Sequence, residues 1–133
     1  MLTLEQAQQA VTAALQEATK IDVKMNICVV DAGANLLAFA RQPGAWLGSV
    51  DIAMKKAKTA RYFDMPTAEI GKLSQPGGAL YNIEVSNGGL ISFGGGFPIK
   101  DGEGNVIGAI GVSGGAVPQD EQVAKAGIEA LEN

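Results

Sequence analysis

The sequence predicts an α+β fold, a single domain over residues 1–133, and three observations carry that expectation. The length fits one core, and 47% hydrophobic residues are enough to fill it. Helical periodicity opens and closes the chain. Between those ends, short runs of β-formers fall into two hairpin groups separated by helices, an order that favours an antiparallel sheet of about five strands flanked by helices.

Thr3 followed by Gln6 reads as a capping box. Leu4, Ala7, Ala10, Val11, Ala14, Leu15 and Ala18 then recur at three- and four-residue spacing, one apolar stripe on a first helix. Ile27–Val30 and Leu36–Ala40 are apolar runs separated by Asp31, Gly33 and Asn35, which reads as a hairpin. Neither run alternates cleanly, so both strands are expected to be covered on two faces. Gln42-Pro43-Gly44 breaks the chain, and Ser49 is placed to cap a second helix through about Phe63, with Asp51 near its positive end. Ala53, Ala57 and Ala60 form a small-residue stripe on it.

A short helix is expected from Thr67 to about Leu73, then loop from Ser74 to Asn87. From Gly88 to Gly115 eleven of twenty-eight residues are glycine. Leu90–Phe93, Phe97–Ile99 and Val106–Ser113 are the strand candidates there, with Asp101-Gly102-Glu103-Gly104 as a turn. Val123, Ala124, Ile128, Ala130 and Leu131 mark a last helix, and Pro118 suits its first turn.

Composition narrows function. The net charge of −4 argues against nucleic acid as a partner. No window of about 18 consecutive apolar residues exists, and the first residues lack a signal peptide's basic and apolar regions, so the chain as written reads as cytoplasmic and away from membranes. A charge-poor surface rich in Ala and Gly favours burial against copies of itself. There is no histidine, which removes Ser-His and Cys-His nucleophile pairs and every His-ligated metal or haem. Chemistry would run on carboxylates, Lys, Tyr, Ser, Thr or the lone Cys28, which sits in an apolar strand like a buried, inert thiol.

The candidate site residues come from two patterns. Gly94-Gly95-Gly96, beside Phe93, and Ser113-Gly114-Gly115 let a backbone approach a ligand, and the second piece ends a strand before a helix, where amides hold anions. The same glycines also suit bulges, turns and close helix–sheet contact. Lys55, Lys56, Lys58 and Arg61 put four of ten basic residues within seven positions, while the remaining six face fourteen acidic ones. Lys55, Lys58 and Arg61 share a helix face, and Lys56 points elsewhere. This face is either solvated or an attractor of an anionic ligand, and Arg41 is placed to join it as a carboxylate holder. Asp31 and Asp120 stand beside glycine-rich turns, where capping explains both; Met25, Met54 and Met65 read as core fillers, and Trp46 as an exposed anchor.

Val29-Val30-Asp31-Ala32-Gly33, then Arg41, then Ala53 with Lys56-Ala57-Lys58-Thr59-Ala60, resembles the front half of GlcG/HbpS-like proteins. Phe93-Gly94-Gly95-Gly96-Phe97-Pro98-Ile99 and Gly108-Ala109-Ile110-Gly111-Val112-Ser113-Gly114-Gly115, followed by Gln119-Asp120, resembles the back half. The resemblance implies a profilin-like antiparallel sheet, a homo-oligomer that is commonly an octamer, and relatives tied to glycolate, glycerol and diol catabolism or fused to corrinoid adenosyltransferases. It also implies a tetrapyrrole, haem or corrinoid, as ligand. This chain differs from the family pattern in having no histidine, and in carrying Gln42-Pro43-Gly44 where an Asp-Gly often follows the strand arginine. Haem would then be held through Met, Tyr81, a hydroxyl or no axial ligand.

Two functions follow as expectations. One is a non-catalytic, oligomeric binding protein for a tetrapyrrole or small carboxylate, using Asp31, Arg41, Lys56, Phe93, Gly94–Gly96 and Ser113–Gly115. The other is an enzyme or enzyme accessory acting on a small metabolite of glycolate, glycerol or diol pathways, with Lys56, Asp31 or Tyr81 as acid and base.

Overall fold

The computed structural model describes residues 1–132. Helix α1 (Leu4–Lys20) starts at the expected capping box: the Thr3 hydroxyl accepts from the Gln6 amide at 3.0 Å while the Gln6 side chain accepts from the Thr3 amide. Strands β1 (Asn26–Asp31) and β2 (Leu36–Arg41) form the first hairpin. Helix α2 (Gly48–Phe63), helix α3 (Thr67–Leu73) and a 3-10 turn (Ile83–Val85) follow. Strands β3 (Gly96–Lys100) and β4 (Val106–Ser113) form the second hairpin, and helix α4 (Val117–Glu129) closes the fold. The strand order is β2-β1-β4-β3, antiparallel throughout.

Three expectations change. The sheet has four strands, because Leu90–Phe93 joins no ladder. Its backbone bonds elsewhere: the Leu90 amide donates to the Glu84 carbonyl and the Ile91 amide to the Thr59 hydroxyl of α2. Strand β2 is not covered on both faces; it is an edge strand, half-buried or exposed along its length. Helix α2 begins at Gly48, so Ser49 is a buried member of its first turn instead of its cap.

The two hairpin turns share one chemistry. Asp31 Oδ1 accepts from the Gly33 and Asn35 amides, and Asp101 Oδ1 from the Glu103 and Asn105 amides, all at 2.9 Å. Each carboxylate thus replaces water at amides that the tight turn leaves unpaired.

The sheet separates two unequal layers. On one face α1 and α4 bury Ala7, Ala10, Ala14, Ala18, Val123 and Ala124 against Met25, Ile27, Val29, Ile110 and Val112. Each large member contributes about 1.5–3 kcal/mol on burial, so most hydrophobic stabilisation lies here. On the other face α2 packs Ala53, Ala57 and Ala60 against Cys28, Val30 and Ala109. These small side chains bury little area but let the helix approach closely. A Cβ on Gly111 of β4 would overlap the Ala53 carbonyl oxygen and sit 2.5 Å from the Ala57 nitrogen.

Candidate functional site

Helix α2 carries the basic cluster Lys55, Lys56, Lys58 and Arg61. Its Ala53, Ala57 and Ala60 face the sheet, and Lys56, at the same three- and four-residue spacing, is carried inward with them. Lys56 has no exposed side-chain surface. Its ammonium donates to the Val112 carbonyl at 2.8 Å and to Asp120 Oδ2 at 2.9 Å, and stands 5.0 Å from the Phe93 ring centroid. The other Asp120 oxygen accepts from the Gly115 amide at 2.8 Å. Burial draws the Lys56 pKa below its usual value and pushes that of Asp120 up, each shift opposed by the partner's charge.

The glycines serve this junction. Gly95 adopts φ +125°, and a Cβ there would meet Lys56 Nζ at 2.6 Å and the Val112 carbonyl oxygen at 2.7 Å. The Gly96 amide donates to the Thr67 hydroxyl at 3.0 Å, tying the loop to α3. Gly94 lies against Glu121 and Val117 of α4. Thus Lys56, Phe93, Gly94, Gly95, Gly96 and Gly115 converge, as residues that lock α2, β4 and α4 together. The anion held at the strand-to-helix turn is the chain's own Asp120.

The remaining expected residues lie elsewhere. Arg41 and Ser113 are set on either side of Asn26 in one row across the sheet. Gly114 packs against the Lys24 carbonyl. Asp31 is in the β1–β2 turn, at the opposite end of β1 from Asn26, roughly 17 Å away at strand rise. Tyr81 is exposed in the segment before the 3-10 turn. Lys56, Asp31 and Tyr81 therefore share no cleft.

On its outer side α2 forms one wall of a groove against the β1–β2 hairpin. One part, about 250 Å³, is lined by Cys28, Val30, Leu36, Met54, Lys55 and Lys58. A second part, about 470 Å³, is lined by Gly33, Arg61, Tyr62, Phe63 and Asn87, and the two meet at Ala34. The groove exists because β2 is an edge strand that α2 leaves uncovered. Lys55, Lys58 and Arg61 run along it, held by Asp51, by the Asn87 carbonyl, and by Asp64 with the Ala32 carbonyl. Met54 and Tyr62 are 38% and 48% exposed, so a thioether and a phenol are accessible, whereas burial pushes the Cys28 thiol up to about 12.

The sequence alone reads Asp120 as a cap, whereas the fold makes it the buried partner of Lys56. Its mate is 64 positions away, and a first-turn acid on a helix needs no partner to explain it. The visible signal was Lys56 itself, on the alanine stripe where a free lysine would not fit.

No helix among the described residues is long and apolar enough to cross a membrane, and no cluster of three or more metal-ligating acidic or thiol side chains occurs among them. A four-stranded antiparallel sheet between helices, with a cation-edged groove beside its β1–β2 hairpin, defines a small α+β module. Residues 2–129 match the family described as haem degrading protein HbpS-like, and the chain belongs to that family. It is 39% identical over 131 residues to an uncharacterized 15.0 kDa protein from the dhaT-dhaS intergenic region of Citrobacter freundii, covering 98% of this chain and 92% of that one. It is 37% identical over 131 residues to the corrinoid adenosyltransferase PduO of Citrobacter freundii, covering 98% of this chain but spanning only 39% of PduO. The solved structure of Klebsiella pneumoniae protein ORFY superposes with a TM-score of 0.94 at 40% identity, covering 98% of this chain and 90% of that one, and the PduOC:haem complex with a TM-score of 0.92 at 36% identity, covering 97% and 94%.

Proposed function

We propose that the chain is a tetrapyrrole-binding module that works as a homo-oligomer, the octamer implied by the family resemblance being the expected size. The observation that carries this reading is the groove along α2. Its apolar wall of Val30, Ala34, Leu36 and Met54 suits a macrocycle, and Lys55, Lys58 and Arg61 suit acidic side arms. The haem complex of a relative that shares this fold supports the ligand class.

The donor set fits haem without histidine. Met54 and Tyr62 offer a thioether and a phenol on the groove, while the Cys28 thiol is protonated and enclosed. A bound haem would supply the redox and oxygen chemistry; the protein's part is to hold the acidic arms and the apolar face. At 250 Å³ the apolar part alone is smaller than the roughly 300–1,000 Å³ that encloses a typical small ligand, so a second copy covering the groove completes it.

Titration with haemin, followed by the Soret band, tests the reading, with a cobalamin arm beside it. Saturable binding that falls about tenfold in Lys55→Glu/Lys58→Glu supports it, since reversing two exposed partners removes of order 1–2 kcal/mol. Absence of saturable binding by either tetrapyrrole sinks it.

A further inference from the structure

Asn87-Gly88 is the one Asn–Gly step in the sequence, and it lies on the wall of the α2 groove. Ser86–Gly89 is a tight turn closed by the Gly89 amide, which donates to the Ser86 carbonyl at 2.9 Å, with φ +54° at Asn87 and +73° at Gly88. Both central residues are exposed, and a Cβ on Gly88 would meet nothing within 4 Å. The Gly88 amide donates to no group among the described residues. The carbonyl beside it is engaged: Lys58 Nζ donates to the Asn87 oxygen at 3.0 Å. A cation there draws electron density from the Asn87–Gly88 peptide and so favours loss of the Gly88 amide proton.

Asn82 is the comparison within the same loop. It too is exposed and left-handed, with φ +70°. Its following residue is Ile83, whose amide is already bonded to the Leu80 carbonyl at 2.9 Å and whose branched side chain crowds any approach to that nitrogen. Asn35 and Asn105 differ again, because Asp31 and Asp101 hold their side-chain amides. Only at Asn87 does an exposed side-chain amide precede a nitrogen that is unbonded, unhindered and activated. The Asn87 side chain itself has one bond, from Nδ2 to the Ser86 hydroxyl at 3.0 Å, on the surface.

We propose that Asn87 is a self-modification site, at which spontaneous deamidation adds a negative charge to the wall of the α2 groove. The Gly88 nitrogen gives its proton to solvent and attacks Asn87 Cγ. The new nitrogen–carbon bond replaces the Cγ–Nδ2 bond, and Nδ2 leaves with a solvent proton as ammonia. Water then opens the cyclic imide: attack at Cγ leaves an aspartate, and attack at the main-chain carbonyl leaves an isoaspartate. No electrons are exchanged, and water is the single co-reactant. Either product places a carboxylate beside Lys58, on the cavity that Asn87 shares with Arg61. That carboxylate competes for the two cations with the acidic arms of a ligand. The chemistry does not depend on what the groove holds; its effect on binding rests on the tetrapyrrole reading.

The full chain is incubated at mildly alkaline pH, and conversion at each asparagine is read by peptide mass mapping together with enzymatic methylation of isoaspartate. Asn87 is expected to convert about tenfold faster than Asn82, since the hydrogen bond on the Ile83 amide alone slows attack about fivefold. Lys58→Gln is expected to slow conversion at Asn87 about threefold and Lys58→Arg to restore it, whereas a turn merely loosened by the substitution would convert faster. Asn87→Asp, which carries the aspartate product from the start, is expected to bind haemin about threefold more weakly than the parent. Conversion at Asn87 no faster than at Asn82, or undiminished in Lys58→Gln, overturns the inference. Equal haemin binding by the parent and Asn87→Asp overturns the effect on the groove. Fast conversion in a chain that binds no haemin would uphold the modification site while the tetrapyrrole reading falls.

Discussion

At the scale of single residues the Lys56–Asp120 pair decides most. Lys56→Met or Asp120→Asn leaves its partner charged or unpaired in the core, and each is expected to cost about 3–5 kcal/mol, a large share of a typical domain's stability. The double variant loses much less than the two costs together, and urea unfolding of all four proteins measures the coupling. Additive losses would mean the pair does not act as a unit. The turn aspartates set a pH dependence. Asp31 and Asp101 are held below the usual carboxylate range, first by the amides of Asn35 and Asn105 and then by those of Gly33 and Glu103. Their contribution is present above the unfolded value of 3.8 and is lost as pH falls through the lower folded values. Asp31→Asn/Asp101→Asn should therefore be less stable than the parent at neutral pH, with the gap closing as pH falls below 3.8; a gap that stays constant in acid would mean the turn carboxylates are not linked to folding. Lys56 was legible in the sequence as the odd member of a basic cluster, but Asp120 was not, because only the fold brings the two segments together.

At the scale of elements, the glycine-rich strands explain how an alanine helix lies flat on a sheet. Gly111→Ala drives a methyl group into the Ala53 carbonyl, and neither backbone can yield without moving α2. The expected cost is about 1–3 kcal/mol, read as a lowered melting temperature. Gly102→Ala, in the exposed β3–β4 turn where an added Cβ meets nothing within 4 Å, is the control and should stay within about 0.5 kcal/mol of the parent. Equal effects at both positions would remove the close-approach account. Helices α1, α2 and α4 are readable from their apolar spacing, and the hairpins from the turn residues Asp31, Gly33 and Asn35 and from Asp101-Gly102-Glu103-Gly104. Leu90–Phe93 misled because its composition suits a strand, while its place in space is taken: the Ser92 carbonyl presses on Gly71 of α3 and the Ile91 amide is bound by Thr59. Composition reports what a segment tolerates; a ladder also needs a free neighbour.

At the scale of the whole molecule, the two sheet edges are treated differently. Strand β3 carries Pro98 and Lys100, both of which discourage a further strand. Strand β2, Leu36–Arg41, has no proline, and Leu36 is 57% exposed on it. Trp46, Leu47, Tyr81 and Val85 are also more than half exposed, apolar surface that a neighbouring copy could cover. The same β2 edge bounds the α2 groove, so a copy docked there would both bury the edge and close over the ligand. The chain is therefore expected to sediment as a multiple of the protomer mass. Because the proposed contact is apolar, that mass should persist in 1 M salt, where the screening length falls to about 3 Å and charge pairs between subunits would be lost. Leu36→Lys, on the exposed edge, should shift the distribution toward smaller species and weaken haemin together. A monomer at every concentration would remove the assembly from the proposed function, and with it the reason for a groove too shallow to enclose its ligand alone.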